Sequence, residues 1–119
     1  MSLFTQAGTN YIGVTDVAAA TTWYIQKLGL RKVDVELDEG ENCVALGFEK
    51  DECAVCVGPA GRPTDELTHM LYSSNLKKAR EFLVSRGVNV GEILTDRQGT
   101  RFFEMHDLEG NTIEITEEP

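Results

Sequence analysis

Glu114 stands in the run Thr112-Ile113-Glu114-Ile115-Thr116, where strand alternation sends Ile113 and Ile115 to one face and the carboxylate to the other. A carboxylate on the face away from the core can serve as an acid, a base or a counter-charge for a cation. Cys53-Ala54-Val55-Cys56 has the C-x-x-C form of redox and zinc sites. In a strand, a separation of three sends the two thiols to opposite faces, and no second C-x-x-C or paired His completes a zinc set. Two structural cysteines are expected. His106-Asp107 has the form of a base oriented by a carboxylate, but it lies just before the turn at Gly110 and is expected at a solvent-side strand end. The chain contains no serine nucleophile motif, Walker loop or G-x-G-x-x-G.

The elements that position these groups fit a single domain. With 119 residues, 41% of them hydrophobic, the chain can build one core but not two. Twenty acidic residues against eleven basic ones leave a net charge of −9, which disfavours nucleic acid and anionic membrane surfaces as partners. No apolar run approaches the roughly 18 residues of a spanning helix, and Met1–Gln6 has no basic start followed by an apolar stretch. A cytoplasmic protein is expected. Cys43, Cys53 and Cys56 are an odd number, so reduced thiols rather than disulfides are expected.

The order of signals occurs twice. Tyr11–Val14 reads as a strand, Asp16 as an N-cap and Val17 to Leu28 as a helix stopped by Gly29. Leu67 to Ser73, Asn75, Leu76 to Arg86 and Gly87 repeat that order. Asp16 and Asn75 are 59 residues apart, as are Trp23 and Phe82, while Gly29 and Gly87 are 58 apart. Three strands are expected after each helix: 32–37, 44–48 and 54–57, then 88–94, 101–106 and 112–116. The expected fold is therefore α+β, with paired βαβββ modules related by a pseudo-twofold axis. One domain, 1–119, comprises a module at 9–57, a connector at 58–66 and a module at 67–117. Four strands with one helix cover only one sheet face, so the other must be covered or form a cleft.

Three segments, Tyr11-Ile12-Gly13-Val14-Thr15-Asp16-Val17, Trp23-Tyr24 with Leu28-Gly29-Leu30, and Asp107-Leu108-Glu109-Gly110-Asn111-Thr112-Ile113-Glu114-Ile115, resemble the vicinal oxygen chelate superfamily. That superfamily groups glyoxalase I, bleomycin-resistance proteins, fosfomycin-resistance enzymes and extradiol dioxygenases. Leu108 stands where its closing signature usually has proline. The resemblance implies that the four positions holding a metal in metal-dependent members fall at Thr9, Thr68, Cys56 and Glu114. Of these only Glu114 is a typical ligand, because hydroxyls are weak donors for Ni, Zn or Mn. His69 is one residue out of place, and strand alternation turns it toward the helix layer.

On the same footing, Phe102 and Glu104 share the face of Glu114. Thr9, Tyr11, Thr68, Met70 and Tyr72 would complete a cleft lining, with Cys56 nearby. Glu104 and Glu114 are then the candidate acid/base pair. The implied protein binds a small aromatic or cationic molecule in a cleft without a complete metal site. The implied alternative is a metal-dependent lyase or isomerase resembling lactoylglutathione lyase, or a dioxygenase-related enzyme, with an unusual ligand set. No cofactor is expected, with a divalent metal as the exception the alternative would require. A homodimer is expected, since members commonly complete the cleft with a partner's half.

Overall fold

The structure, a computed structural model, describes residues 4–6, 10–33, 43–48, 53–59 and 69–118. In chain order its elements are strands β1 (Thr5–Gln6) and β2 (Asn10–Val14), helix α1 (Val17–Leu28), and strands β3 (Arg31–Lys32), β4 (Val44–Gly47), β5 (Val55–Pro59) and β6 (His69–Ser73). Helix α2 (Leu76–Ser85) and strands β7 (Asn89–Val90), β8 (Leu94–Thr95), β9 (Arg101–His106) and β10 (Thr112–Glu117) complete the chain.

Both helices start where a short polar side chain can satisfy an orphan backbone donor. The Asp16 carboxylate accepts from the Ala19 amide at 3.0 Å, and the Asn75 carbonyl accepts from Lys78 at 3.1 Å. Both stop where Gly29 and Gly87 turn left-handed, at φ of 74° and 77°. Helix α1 has the expected bounds, while α2 ends one residue earlier than expected, with Arg86 as its cap.

The two sheets are built alike. One runs β2-β5-β4-β3 and the other β6-β10-β9-β7, each with a parallel first pair and antiparallel pairs after it. Equivalent residues pair in the same way. Tyr11, Cys56 and Ala45 form a row across the first sheet, and Met70, Glu114 and Glu104 form the corresponding row across the second. These are the expected paired βαβββ modules.

A single apolar core lies between helices and sheets. Ala20, Tyr24 and Leu28 of α1 share it with Ile12, Leu46, Val55 and Val57, and Leu76, Ala79 and Leu83 of α2 with Leu71, Phe103, Met105, Ile113 and Ile115. Each fully buried Val, Leu, Ile, Phe or Met among them contributes roughly 1.5–3 kcal/mol on burial.

Several details differ from the sequence expectations. β5 extends to Pro59, so Gly58 and Pro59 belong to the sheet rather than to the 58–66 connector, and residues 60–66 lie outside the described residues. Of the strand expected at 32–37, the structure describes β3 at Arg31–Lys32 followed by Val33, and 34–37 lie outside the described residues. The expected strand 88–94 is two short strands. Val90 pairs with Met105 and Leu94 with Phe102, so four steps on one strand oppose three on the other. That is one extra residue, the geometry of a bulge. Finally, Thr5–Gln6 crosses to the second sheet and pairs with β6, which places Phe4 in the core between Phe48 and Phe82, at centroid distances of 6.0 and 6.1 Å.

Polar contacts tie the modules together. The Asn10 carboxamide behaves like a strand residue toward β6, donating to the Met70 carbonyl at 2.8 Å and accepting from its amide at 3.0 Å. Together with β1 it closes an edge that would otherwise be unpaired. At the helix ends, Lys27 donates to the Arg86 carbonyl and Arg86 donates to that of Gln26, at 2.7 and 2.9 Å. The Glu109 carboxylate accepts from the Thr15 and Asp16 amides at 2.7 and 3.0 Å, capping α1 from the second module. The Tyr24 hydroxyl donates to Asp107 at 2.7 Å, and the Asn111 side-chain amide donates to the Gly13 carbonyl at 3.3 Å.

Candidate functional site

Helix α2 covers one face of the second sheet, and alternation turns the intervening residues to the other face. Three cross-strand rows lie there. Asn89, His106 and Thr112 form the first; Glu104, Glu114 and Met70 the second; Leu94, Phe102, Thr116 and Tyr72 the third. Met70, Tyr72, Phe102, His106 and Glu114 are half-buried, and Glu104 is exposed.

Glu104 and Glu114 are direct partners in an antiparallel pair. Like charges set opposite each other in a sheet oppose folding by roughly 0.2–1 kcal/mol. Glu114 is held in place by Thr116, whose hydroxyl donates to its Oε2 at 2.8 Å. One cation placed over the row would relieve the repulsion, and Met70, Tyr72 and Phe102 offer polarisable and aromatic surface beside it.

The residues singled out from sequence do not all meet on this face. Met70, Tyr72, Phe102, Glu104 and Glu114 do, whereas Tyr11 and Cys56 occupy the equivalent row of the first sheet. Thr9 and Thr68 lie outside the described residues. His106, Thr112 and Thr116 join the face unforeseen, although their i±2 spacing from Glu104 and Glu114 carried the signal. Asn10 was also missed, and its flag was an asparagine within a strand, where that residue is depleted.

His106 is not oriented by Asp107. Its Nδ1 lies 3.2 Å from the Thr112 hydroxyl, while the buried Asp107 carboxylate accepts from Tyr24, from the Glu109 and Asn111 amides and from the Asn111 side chain. Burial, reinforced by the Asp107 charge and hydrogen bond, raises the Tyr24 hydroxyl far above the ordinary tyrosine range, so it stays a donor. His69 shares a register position with core-facing Ile113, on the helix side of the sheet. Desolvation lowers its pKa, and the Asp107 charge opposes that shift.

The first sheet's corresponding face is small and apolar. Cys53, Cys56 and Ala45 pack together with Tyr11, Val33 and Cys43 against them, so the C-x-x-C thiols share a face rather than pointing apart. The bend at Ala54 precedes the strand, and alternation begins only at Val55. Burial raises the Cys53 thiol, which keeps it protonated and a poor nucleophile or ligand. Tyr11 lies across Gly58, where an added Cβ would come within 2.4 Å of its hydroxyl and 2.7 Å of Cys43 Sγ.

The donors do not suit a family-type metal. Of the four implied positions two are hydroxyls, one is a thiol 1% exposed, and Glu114 alone is a hard anionic donor. Among the described residues no group of three or more His, Cys, Asp or Glu side chains is placed to hold an ion.

Two stacked βαβββ modules with open sheet faces define a class of proteins that use one scaffold for binding and for catalysis. The chain belongs to the Glyoxalase/Bleomycin resistance protein/Dioxygenase superfamily, whose family model matches residues 6–115. A superfamily member from Sphaerobacter thermophilus DSM 20745 is similar in structure, at 24% identity and a TM-score of 0.73, covering 93% of this chain and 95% of that one. TnmS3, an antibiotic binding protein from Streptomyces sp. CB03234, is similar at 16% identity and a TM-score of 0.69, with 97% of each chain covered. Lactoylglutathione lyase from Agrobacterium tumefaciens is similar at 14% identity and a TM-score of 0.67, covering 92% of this chain and 91% of that one. At these identities the likeness is one of fold. No curated protein matches the chain. No helix among the described residues is long and apolar enough to cross a membrane.

Proposed function

We propose that the protein binds a small cationic aromatic molecule on the open face of its second sheet, without a metal or other cofactor. The observation that carries this reading is the Glu104–Glu114 pair, two like charges set opposite each other beside Met70, Tyr72 and Phe102. A sheet tolerates such a pair at a cost in stability, and a bound cation reverses the sign of that term. The fold-level likeness to an antibiotic binding protein agrees with a binding role. The protein is cytoplasmic in this proposal and works as a homodimer, in which a partner's first module covers the open face.

Calorimetric titration with benzamidine, benzamide and benzoate, three rings of one shape and different charge, tests the ligand class. Benzamidine should bind most tightly and benzoate least, and both Glu104→Gln and Glu114→Gln should erase the preference. Tighter binding of benzoate would overturn the reading. Light scattering giving a monomer at high micromolar concentration would remove the partner's share. Elemental analysis finding one metal per chain, lost in Glu114→Ala, would replace the metal-free site.

A further inference from the structure

On the opposite side of the first sheet, a groove of about 660 Å³ runs between α1 and β4. Val17, Ala18, Ile25 and Val44 give it apolar walls, Lys32 supplies an ammonium group, and Thr21 lines it from the helix. Its volume falls within the range of small-molecule sites, roughly 300–1,000 Å³. One observation above all marks it as more than a packing gap.

Thr21 is 6% exposed, and its hydroxyl is the buried side-chain polar atom left without a partner among the described residues. Buried hydroxyls are nearly always paired, because leaving one unmade forfeits its hydration for nothing in return. A helical threonine also populates two χ1 rotamers, and one step between them exchanges its methyl and hydroxyl.

The second module narrows the same place without closing it, leaving a groove of about 490 Å³ beside Leu76, Lys77, Ile93 and Glu117. Fifty-nine residues on from Thr21 and Val44 stand Arg80 and Phe103. Arg80 donates to the Gly91 carbonyl at 2.8 Å, and Phe103 is fully buried. The fold therefore leaves a groove in both modules, and the first module's is the larger, with Thr21 and Val44 where the second has Arg80 and Phe103.

We propose that this groove is a second binding site, separate from the open face of the second sheet, and that it takes a small monocarboxylic acid with an alkyl or aryl body. The body lies along Val17, Ala18, Ile25 and Val44, the carboxylate faces Lys32, and the Thr21 hydroxyl gains an acceptor. Lys32 is the charged residue lining the groove, which selects an anion in spite of the chain's net charge of −9.

Titration of the full chain with decanoate below its micelle concentration, followed by methyl NMR and calorimetry, tests the assignment. Saturable binding of one decanoate per chain is expected, with decylamine several-fold weaker. Ala18→Trp, at an exposed position that fills the groove without touching the core, should abolish binding, and Lys32→Gln should weaken it several-fold. Thr21→Val should raise the melting temperature of the free chain while weakening decanoate, a pairing of effects that a purely structural threonine would not give. Glu114→Gln should leave decanoate binding unchanged, which separates this site from the open face. No saturable binding, equal binding of decylamine, or undiminished binding by folded Ala18→Trp would overturn the proposal.

Discussion

The two modules share a backbone and differ in what they present on it. On the core side the equivalent residues are alike in chemistry: Ile12 and Leu71, Val55 and Ile113, Val57 and Ile115, Leu46 and Met105 are all buried and apolar. On the other side Tyr11, Cys56 and Ala45 correspond to Met70, Glu114 and Glu104. Packing holds the first set to one solution, because volume and polarity are both constrained in a close-packed interior. The open faces carry no such constraint, and that is where the halves have diverged into a closed thiol-lined patch and an acidic, partly aromatic one.

The largest break in the equivalence should come from a core position that pairs a hydroxyl in one module with nothing in the other. Tyr24 corresponds to Leu83, and both are fully buried, but only Tyr24 donates to a carboxylate. Tyr24→Phe leaves Asp107 short of one donor and should cost about 1.5–3 kcal/mol in a denaturant titration. Leu83→Met should cost less than about 1.5 kcal/mol. Equal costs would place the Asp107 network outside the forces that join the modules.

Gly58 and Thr116 are likewise equivalent, and at Gly58 the Tyr11 phenol lies where a Cβ would stand. Gly58→Ala should destabilise by about 1–3 kcal/mol through overpacking. Adding Tyr11→Phe should recover part of that loss in a double-mutant cycle. A smaller effect of opposite sign is expected on the acidic face, where Glu104→Gln removes one of two facing charges. Thermal unfolding at low salt should show a gain of roughly 0.2–1 kcal/mol, while benzamidine affinity falls.

The smallest effect concerns pH. The Thr15 amide, then that of Asp16, holds the Glu109 carboxylate below the ordinary glutamate range. A group depressed on folding adds stability above its unfolded value and loses it as pH falls through the folded one. Desolvation depresses His69 from 6.5, so protonating it also opposes folding as pH drops below that value. Stability should therefore decline first below about pH 6.5 and again in the acidic carboxylate range. His69→Gln should flatten the first step and Glu109→Gln the second.

Much of the fold was legible because it is written in local chemistry. Asp16, Asn75, Gly29 and Gly87 set helix limits that depend on a cap or a left-handed turn, and the 59-residue offset tied those limits into one repeat. Alternation placed Glu114, Glu104 and Phe102 on one face, since a strand admits no other arrangement. It failed at Cys53, where the chain bends at Ala54 before the strand begins, and across Gly91–Ile93, where one extra residue resets the period. Pairing between distant segments was not legible at all. Nothing local in Thr5–Gln6 names β6 as its partner, and the bond from Asn10 to Met70 spans 60 residues. The unpartnered Thr21 hydroxyl beside the α1 groove became visible only in space, since no local pattern tells a buried helical threonine from a paired one.

Among the described residues the ties between modules join groups on either side of the Pro59-to-His69 connection: β1 with β6, Asn10 with Met70, Lys27 with Arg86, Tyr24 with Asp107, Asn111 with Gly13 and Glu109 with the start of α1. Chain continuity there adds effective concentration to each of these contacts. Severed within that connection, the two fragments would still present complementary surfaces and should reassemble when mixed, as a non-covalent pair whose melting point rises with concentration. The same independence of connectivity makes the chain a candidate for circular permutation at that point.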